Sequence, residues 1–172
     1  LIMKIGLISD THSYFDPQLR SYFSDCDEIW HAGDFGTLNV AKELEKIAPL
    51  RGVYGNIDGQ DIRQEYPLHR RFKCEGIDVW MTHIGGIPGR YCLPIRKEIM
   101  QNPPELFICG HSHILKIVRD KECKNMLYMN PGAAGKQGFQ QYRTVVTFKI
   151  NQGKLSDAQV VHLGELGKKQ PL

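Results

Sequence analysis

Two β-sheets packed face to face with helices outside, an α/β fold, is what this 172-residue sequence predicts. Three observations carry that expectation. The first third alternates strand and helix as βαβαβ, the later part reads as hairpins and antiparallel strands, and hydrophobic residues make up 41% of the chain, enough to bury one substantial core but not two. Neither half offers a face large enough to bury alone, so the sheets must cover each other. A single domain over residues 1–172 is expected, with Gly164 to Leu172 as a polar tail.

Met3 to Ser9 is a short apolar run of the kind a strand covered on both faces requires, and Asp16 with Pro17 reads as the N-cap and first residue of a helix. Glu28 to Ala32 is the next strand. Leu38, Ala41, Leu44 and Ile47 then recur at helical intervals over Leu38 to Ala48 until Pro49 stops them. Leu50 to Tyr54 completes the βαβαβ unit. Arg70 to Cys74 and Ile77 to Thr82 flank Glu75 and Gly76, which predicts a tight hairpin rather than a crossover. Helical spacing returns over Pro94 to Met100, Asn102-Pro103-Pro104 ends it, and Leu106 to Cys109 is another apolar strand. Ile114 to Arg119, Met126 to Met129, Thr144 to Ile150 and Leu155 to Leu163 read as antiparallel strands, the last two joined by a turn at Asn151-Gln152-Gly153.

The charge balance, 22 basic against 19 acidic residues for a net +3, gives no footprint for nucleic acid or an anionic membrane. No stretch approaches the roughly 18 apolar residues of a membrane-spanning helix. The start of the chain lacks a signal-peptide pattern, so a cytoplasmic location is expected. Five scattered cysteines, Cys26, Cys74, Cys92, Cys109 and Cys123, never show Cys-x-x-Cys spacing and read as free thiols, with Cys109 a small buried hydrophobe.

Chemistry collects at strand ends. Asp10 and His12 follow the first strand, Gly33 and Asp34 the second, and Gly55, Asn56 and Asp58 the third; His83 follows the hairpin, and His111 and His113 follow the strand at 106–109. Ligands gather outside the carboxyl ends of parallel strands, so loops a hundred residues apart can converge. Leaving out Asp58, whose place in a Gly-rich turn is sufficient explanation, the set comprises two Asp, one Asn and four His. That exceeds the three or four protein ligands of a single ion, and suits two ions sharing a carboxylate, with Asp34 the candidate bridge. Mixed imidazole and carboxylate ligation favours Mn, Fe, Zn, Co or Ni over Ca and Mg.

The order Asp-x-His, Gly-Asp, Gly-Asn-x-Asp, His, Gly-His-x-His resembles the calcineurin-like metallophosphoesterase superfamily, and most of all its small bacterial and archaeal phosphodiesterases, over about residues 3 to 150. The resemblance implies a four-layer α/β/β/α sandwich of two mixed sheets. It implies that Asp10, His12 and His113 bind one ion, that Asn56, His83 and His111 bind the other, and that Asp34 bridges them. A hydroxide between the two ions, manganese first among the candidates, would attack the phosphorus of a small-molecule phosphodiester. Asn56 would also be catalytic, donating its amide to a phosphoryl oxygen.

Charge counting leans the same way. Two divalent ions less two carboxylates and a hydroxide leave about +1, which a phosphodiester monoanion neutralises. A dianionic monoester needs further cations, for which Arg90, Arg96 and Lys136 are candidates, and this keeps a phosphomonoesterase as the alternative. A non-catalytic protein-binding scaffold, similar to the retromer subunit of the same fold, is the other.

Three departures from the family pattern stand out. Ile57 occupies the position where larger relatives carry a His that protonates the leaving group, help worth about 10²–10⁴-fold, so activated esters are favoured. Ile84 intervenes between His83 and Gly85, which predicts a displaced loop. Asn130-Pro131-Gly132-Ala133 lacks a serine found in relatives and reads as a structural turn past the site. Elsewhere, His31 is expected to pack on the face opposite Trp30, His69 and His162 to be solvated, and Lys168 and Lys169 to have no role. Exposed hairpin edges offer a surface for a homodimer.

Overall fold

A computed structural model describes residues 1–166. The βαβαβ unit forms as β1 (Ile2–Ile8), α1 (Leu19–Tyr22), β2 (Glu28–His31), α2 (Leu38–Glu45) and β3 (Leu50–Gly52), with the three strands parallel. There follow α3 (Gln60–Glu65), the hairpin of β4 (His69–Cys74) and β5 (Ile77–Thr82), a two-residue hairpin of β6 (Gly86–Ile87) and β7 (Arg90–Tyr91), α4 (Leu93–Gln101) and β8 (Leu106–Ile108). The chain ends with β9 (Lys116–Asp120), β10 (Met126–Asn130), β11 (Tyr142–Asn151) and β12 (Lys154–Glu165).

One sheet runs β12-β11-β1-β2-β3 and the other β4-β5-β8-β10-β9. Both are mixed. The first places antiparallel β11 and β12 beside its parallel strands; the second keeps β5, β8 and β10 parallel between antiparallel edges. The C-terminal strands pair antiparallel as expected, β9 with β10 and β11 with β12. They divide between the two sheets, because β8 and β10 present apolar residues on both faces and are buried as interior strands.

Alternation along each strand makes the layers. Ile5 and Leu7 of β1, Trp30 of β2, Val79 and Met81 of β5, Ile108 of β8 and Phe148 of β11 point inward and fill the space between the sheets. Ile8 and Ile29 point outward onto Leu19, Phe23, Val40 and Leu44 of the helical side, and Trp80, Phe107 and Tyr128 point outward onto Ile95 and Ile99 of α4. The result is the four-layer α/β/β/α sandwich. The hairpin of β4 and β5 pairs His69↔Thr82 through Cys74↔Ile77, and positive φ at both Glu75 (44°) and Gly76 (85°) gives the primed turn that matches strand twist.

Several local expectations are corrected. Asp16 and Pro17 open a turn rather than a full helix: Asp16 accepts the Gln18 N–H at 2.9 Å, and only residues 19–22 are helical. Helix α3 buries Ile62 alone and so leaves no apolar period to detect, while β6 and β7 are too short for any pattern. Gly164 and Glu165 belong to β12 rather than to a tail, and Lys168 and Lys169 lie outside the described residues. All five cysteines are free thiols, and Cys109 is fully buried. Among the described residues, no helix is long and apolar enough to cross a membrane.

Candidate metal centre

The loops after β1 and β2 extend the pairing of their strands. Asp10 N–H donates to the Gly33 carbonyl at 3.0 Å, His12 to Asp34 at 3.1 Å and Ser13 to Phe35 at 2.8 Å. His31 locks this zipper from behind. Its ring stacks on Phe35 at 3.6 Å, Nδ1 accepts the Gly33 N–H at 3.0 Å, and Nε2 therefore carries the proton given to Thr11 Oγ1, also at 3.0 Å. Burial lowers the His31 pKa to about 3, so it remains neutral there as a packed residue.

The third loop is tied in by Asp58. One carboxylate oxygen accepts N–H groups from Asp34 (3.0 Å), Phe35 (3.2 Å) and Gly55 (2.8 Å), and the other accepts Gly36 (2.9 Å). Gly55 passes so close that a Cβ there would stand 2.0 Å from Asp34 Oδ1. Asp10, His12, Asp34, His111 and His113, five of the seven candidate ligands, all sit at positive φ between 44° and 70°. Non-glycine residues held in that region cost free energy and concentrate at functional sites.

All seven side chains converge. Two groups have ligand-type atoms within 4.8 Å of one another: Asp10, His12 and His113, and Asp34, His83 and His111. Asp10 Oδ1 lies 3.2 Å from His113 Nε2 and 3.9 Å from His12 Nε2. Asp34 Oδ2 lies 3.2 Å from His83 Nε2 and 3.5 Å from His12 Nε2, so one oxygen faces an imidazole of each group. Asn56 Oδ1 stands 3.0 Å from His111 Nδ1, which adds it to the second group. His83 itself is fixed by its Nδ1–H, which donates to the Ala32 carbonyl at 2.8 Å.

The donor chemistry fits a cation. Asp10 Oδ2 accepts the Ser9 hydroxyl at 2.6 Å and the His111 N–H at 3.1 Å, but Asp10 Oδ1, His12 Nε2 and His83 Nε2 are buried with no hydrogen-bond partner among the described residues. Buried polar atoms left unpaired are costly, and these three are all metal-ligand atoms facing one space. Burial opposes ionisation of Asp10, yet the facing His113 and His12 hold its carboxyl well below the usual range. Burial likewise opposes charge on Asp34, and facing His83 outweighs it. Burial opposes protonation of His83, but Asp34 and Asp10 raise its pKa; Asp10 raises that of His113, while burial lowers that of His111. Divalent ions would take the place of the protons that otherwise balance these carboxylates.

Outer contacts orient the imidazoles. His113 Nδ1 is held by Gln140 Oε1 at 2.9 Å, which leaves Nε2 facing Asp10, and Asn130 Nδ2 holds the Gly110 carbonyl at 3.0 Å from a buried turn. Gln140, Arg63 and the role of Asp58 escape sequence reading, because each acts across a distance in the chain that no local motif marks. Arg90 and Arg96 line a separate cavity with Asp120 and Glu122, and Lys136 lies over the Tyr14 ring at 4.1 Å. Arg63 is a further cation at the cluster, its guanidinium donating to the Asp58 and Asn56 carbonyls at 2.7 and 3.4 Å.

Clefts open on both sides of the cluster; a small one lined by His113, Leu115 and Tyr142 adjoins the second of two larger ones, and those two share no lining residue. One, of about 570 Å³, includes Asn56 and His83 among its walls with Leu68, Ile84 and Leu93. The other, of about 460 Å³, includes His111 and His113 with Ile114 and Phe139. His69 lines the first cleft, with Nδ1 2.9 Å from Thr82 Oγ1, and so does more than meet solvent. His162 is exposed and packs edge-on to Tyr142.

A four-layer sandwich with a histidine and carboxylate cluster at the ends of its strands places the chain among the metallophosphoesterase folds. The chain belongs to the calcineurin-like phosphoesterase superfamily, whose domain model matches residues 3–153. It is 30% identical to a probable metallophosphoesterase of Methanothermobacter thermautotrophicus over 94% of both chains. It is 31% identical to a phosphodiesterase of Methanocaldococcus jannaschii over 76% of this chain and 83% of that one. Among solved structures, zinc-complexed Vps29 of Entamoeba histolytica has a TM-score of 0.72 at 17% identity, covering 94% of this chain and 100% of that one, a likeness of fold alone.

Proposed function

We propose that this protein is a phosphodiesterase working with two divalent transition-metal ions, manganese first among them. Asp10, His12 and His113 would hold one ion, and Asn56, His83 and His111 the other, with Asp34 shared between them. The observation that carries this reading is the set of three buried, unpartnered ligand atoms, Asp10 Oδ1, His12 Nε2 and His83 Nε2, in one space. When bound, the ions would compensate phosphoryl charge and lower the pKa of a water toward ~7.

The chain's own residues do the positioning. Asn56 uses its oxygen beside His111, which leaves its amide N–H free to donate to a phosphoryl oxygen. Gln140 and the Ala32 carbonyl fix the rings of His113 and His83, so neither must reorganise as charge develops. No acid stands at Ile57, which is 46% exposed, so the leaving group departs without a proton from that position. Good leaving groups are then favoured.

Two clefts at the cluster supply room for the two substituents of a diester, and this is the support for a diester over a monoester. Arg63 favours the second reading, a phosphomonoesterase, by adding the positive charge that a dianion needs. Metal binding alone does not separate an enzyme from a scaffold, since a Vps29 structure is itself a zinc complex. Turnover separates them. Manganese-loaded protein is expected to carry two ions per chain and to hydrolyse bis(p-nitrophenyl) phosphate, with His83→Ala abolishing hydrolysis in a folded protein. Fewer than one ion per chain, or full activity in His83→Ala, overturns the proposal.

A further inference from the structure

We infer that the 570 Å³ cleft receives an apolar hydrocarbon substituent of the phosphoester whose phosphorus is held at the cluster, an inference that rests on the function proposed above. Leu68, Ile84 and Leu93 are large apolar side chains left 47%, 41% and 76% exposed, and all three line this one cleft. Isolated exposed apolar residues are ordinary, but several converging on a concave surface mark a binding site. The volume falls within the roughly 300–1,000 Å³ usual for small-molecule sites.

The cleft is continuous with the cluster, because Asn56 and His83 form part of its lining. That continuity identifies the occupant as part of the same molecule that reacts there. Apart from Asn56 and His83 at its phosphoryl end, the hydrogen-bonding groups of its basic members are already engaged within the protein. Arg63 lies over the Tyr54 ring at 4.5 Å and donates to two carbonyls, and His69 pairs with Thr82. What remains for recognition is the aliphatic wall, which discriminates by burial of apolar surface. Ile84, the residue between His83 and the Gly85-Gly86 pair, joins that wall directly to a candidate ligand.

The test is calorimetric binding of phenylphosphonate and methylphosphonate to the manganese-loaded full chain, two probes with the same head and one arm each. Phenylphosphonate is expected to bind at least ~10-fold more tightly, the scale on which apolar pockets separate ligands by hydrocarbon content. Leu93→Asn and Ile84→Asn, which change no charge, should each shrink that ratio to about 2-fold. In methyl NMR spectra, phenylphosphonate should shift Leu68, Ile84 and Leu93, and methylphosphonate should leave them in place. Equal affinities with diester hydrolysis intact, a ratio that both variants preserve, or shifts confined to Ile114 in the other cleft overturn this inference alone. Failure of the manganese-loaded protein to hydrolyse any phosphoester overturns the proposed function and this inference with it.

Discussion

The Asp58 carboxylate receives the backbone N–H of Asp34 at 3.0 Å, and with three further N–H groups it closes the loop that presents Asp34 to both groups of histidines. A buried side chain that touches no candidate ligand atom thus fixes the backbone of the residue facing both groups. Asp58→Ala leaves four N–H groups without their acceptor and is expected to destabilise the fold by about 2–4 kcal/mol. Urea unfolding measures this, and Asp58→Asn, which retains one acceptor oxygen, should lose less.

Gln140 acts through His113. Gln140→Ala frees Nδ1 of that ring and is expected to weaken the ion of the Asp10 group by about 10–100-fold. Metal titration followed by calorimetry should then resolve two unequal sites, with stability in the absence of metal little changed.

Metal removal should be visible in stability. Ions that bind only the folded chain at 100 times their dissociation constant add about 2.7 kcal/mol per site. A chelator is therefore expected to lower the melting temperature and added manganese to restore it; His83→Ala should reduce the increment.

Asp16 and Arg143 form a buried ion pair at 2.7 Å, and neither is among the candidate ligands. Burial opposes charge on Asp16, but the Arg143 guanidinium and the Gln18 amides hold its pKa below the ordinary value. A depressed carboxyl contributes stability that is present above its unfolded pKa, about 3.9, and is lost as pH falls through the lower folded value. Asp16→Asn should cost about 3 kcal/mol at pH 7 by leaving the Arg143 charge unpaired, and the gap from wild type should narrow below pH ~4. Urea unfolding of both proteins at pH 7, 5 and 3 measures it.

Much of this architecture is legible in the residues. The strands announce themselves as short apolar runs, and at their ends Asp10, Asp34, Asn56, His83, His111 and His113 interrupt apolar sequence with polar side chains. The sandwich then brings those ends together. What stays hidden depends on packing between distant segments: Gln140 reaches His113 across 27 positions, and Arg63 reaches back from α3, a helix whose single buried residue leaves no period. His69 is exposed as its sequence suggests, and its place on the cleft wall, beside its hairpin partner Thr82, is what no local signal marks. Basic residues carry no mark of direction in a sequence: of the three candidate counter-charges, Arg90 and Arg96 line a separate cavity and Lys136 lies over the Tyr14 ring.

The central claim is that the cluster serves a diester. Its most direct test is the ratio of kcat/KM for bis(p-nitrophenyl) phosphate to that for p-nitrophenyl phosphate, measured on the manganese-loaded protein. The two clefts predict a ratio of at least ~10, the fold-change of about 1.4 kcal/mol in transition-state binding. A ratio below one would contradict it and give Arg63 the deciding role.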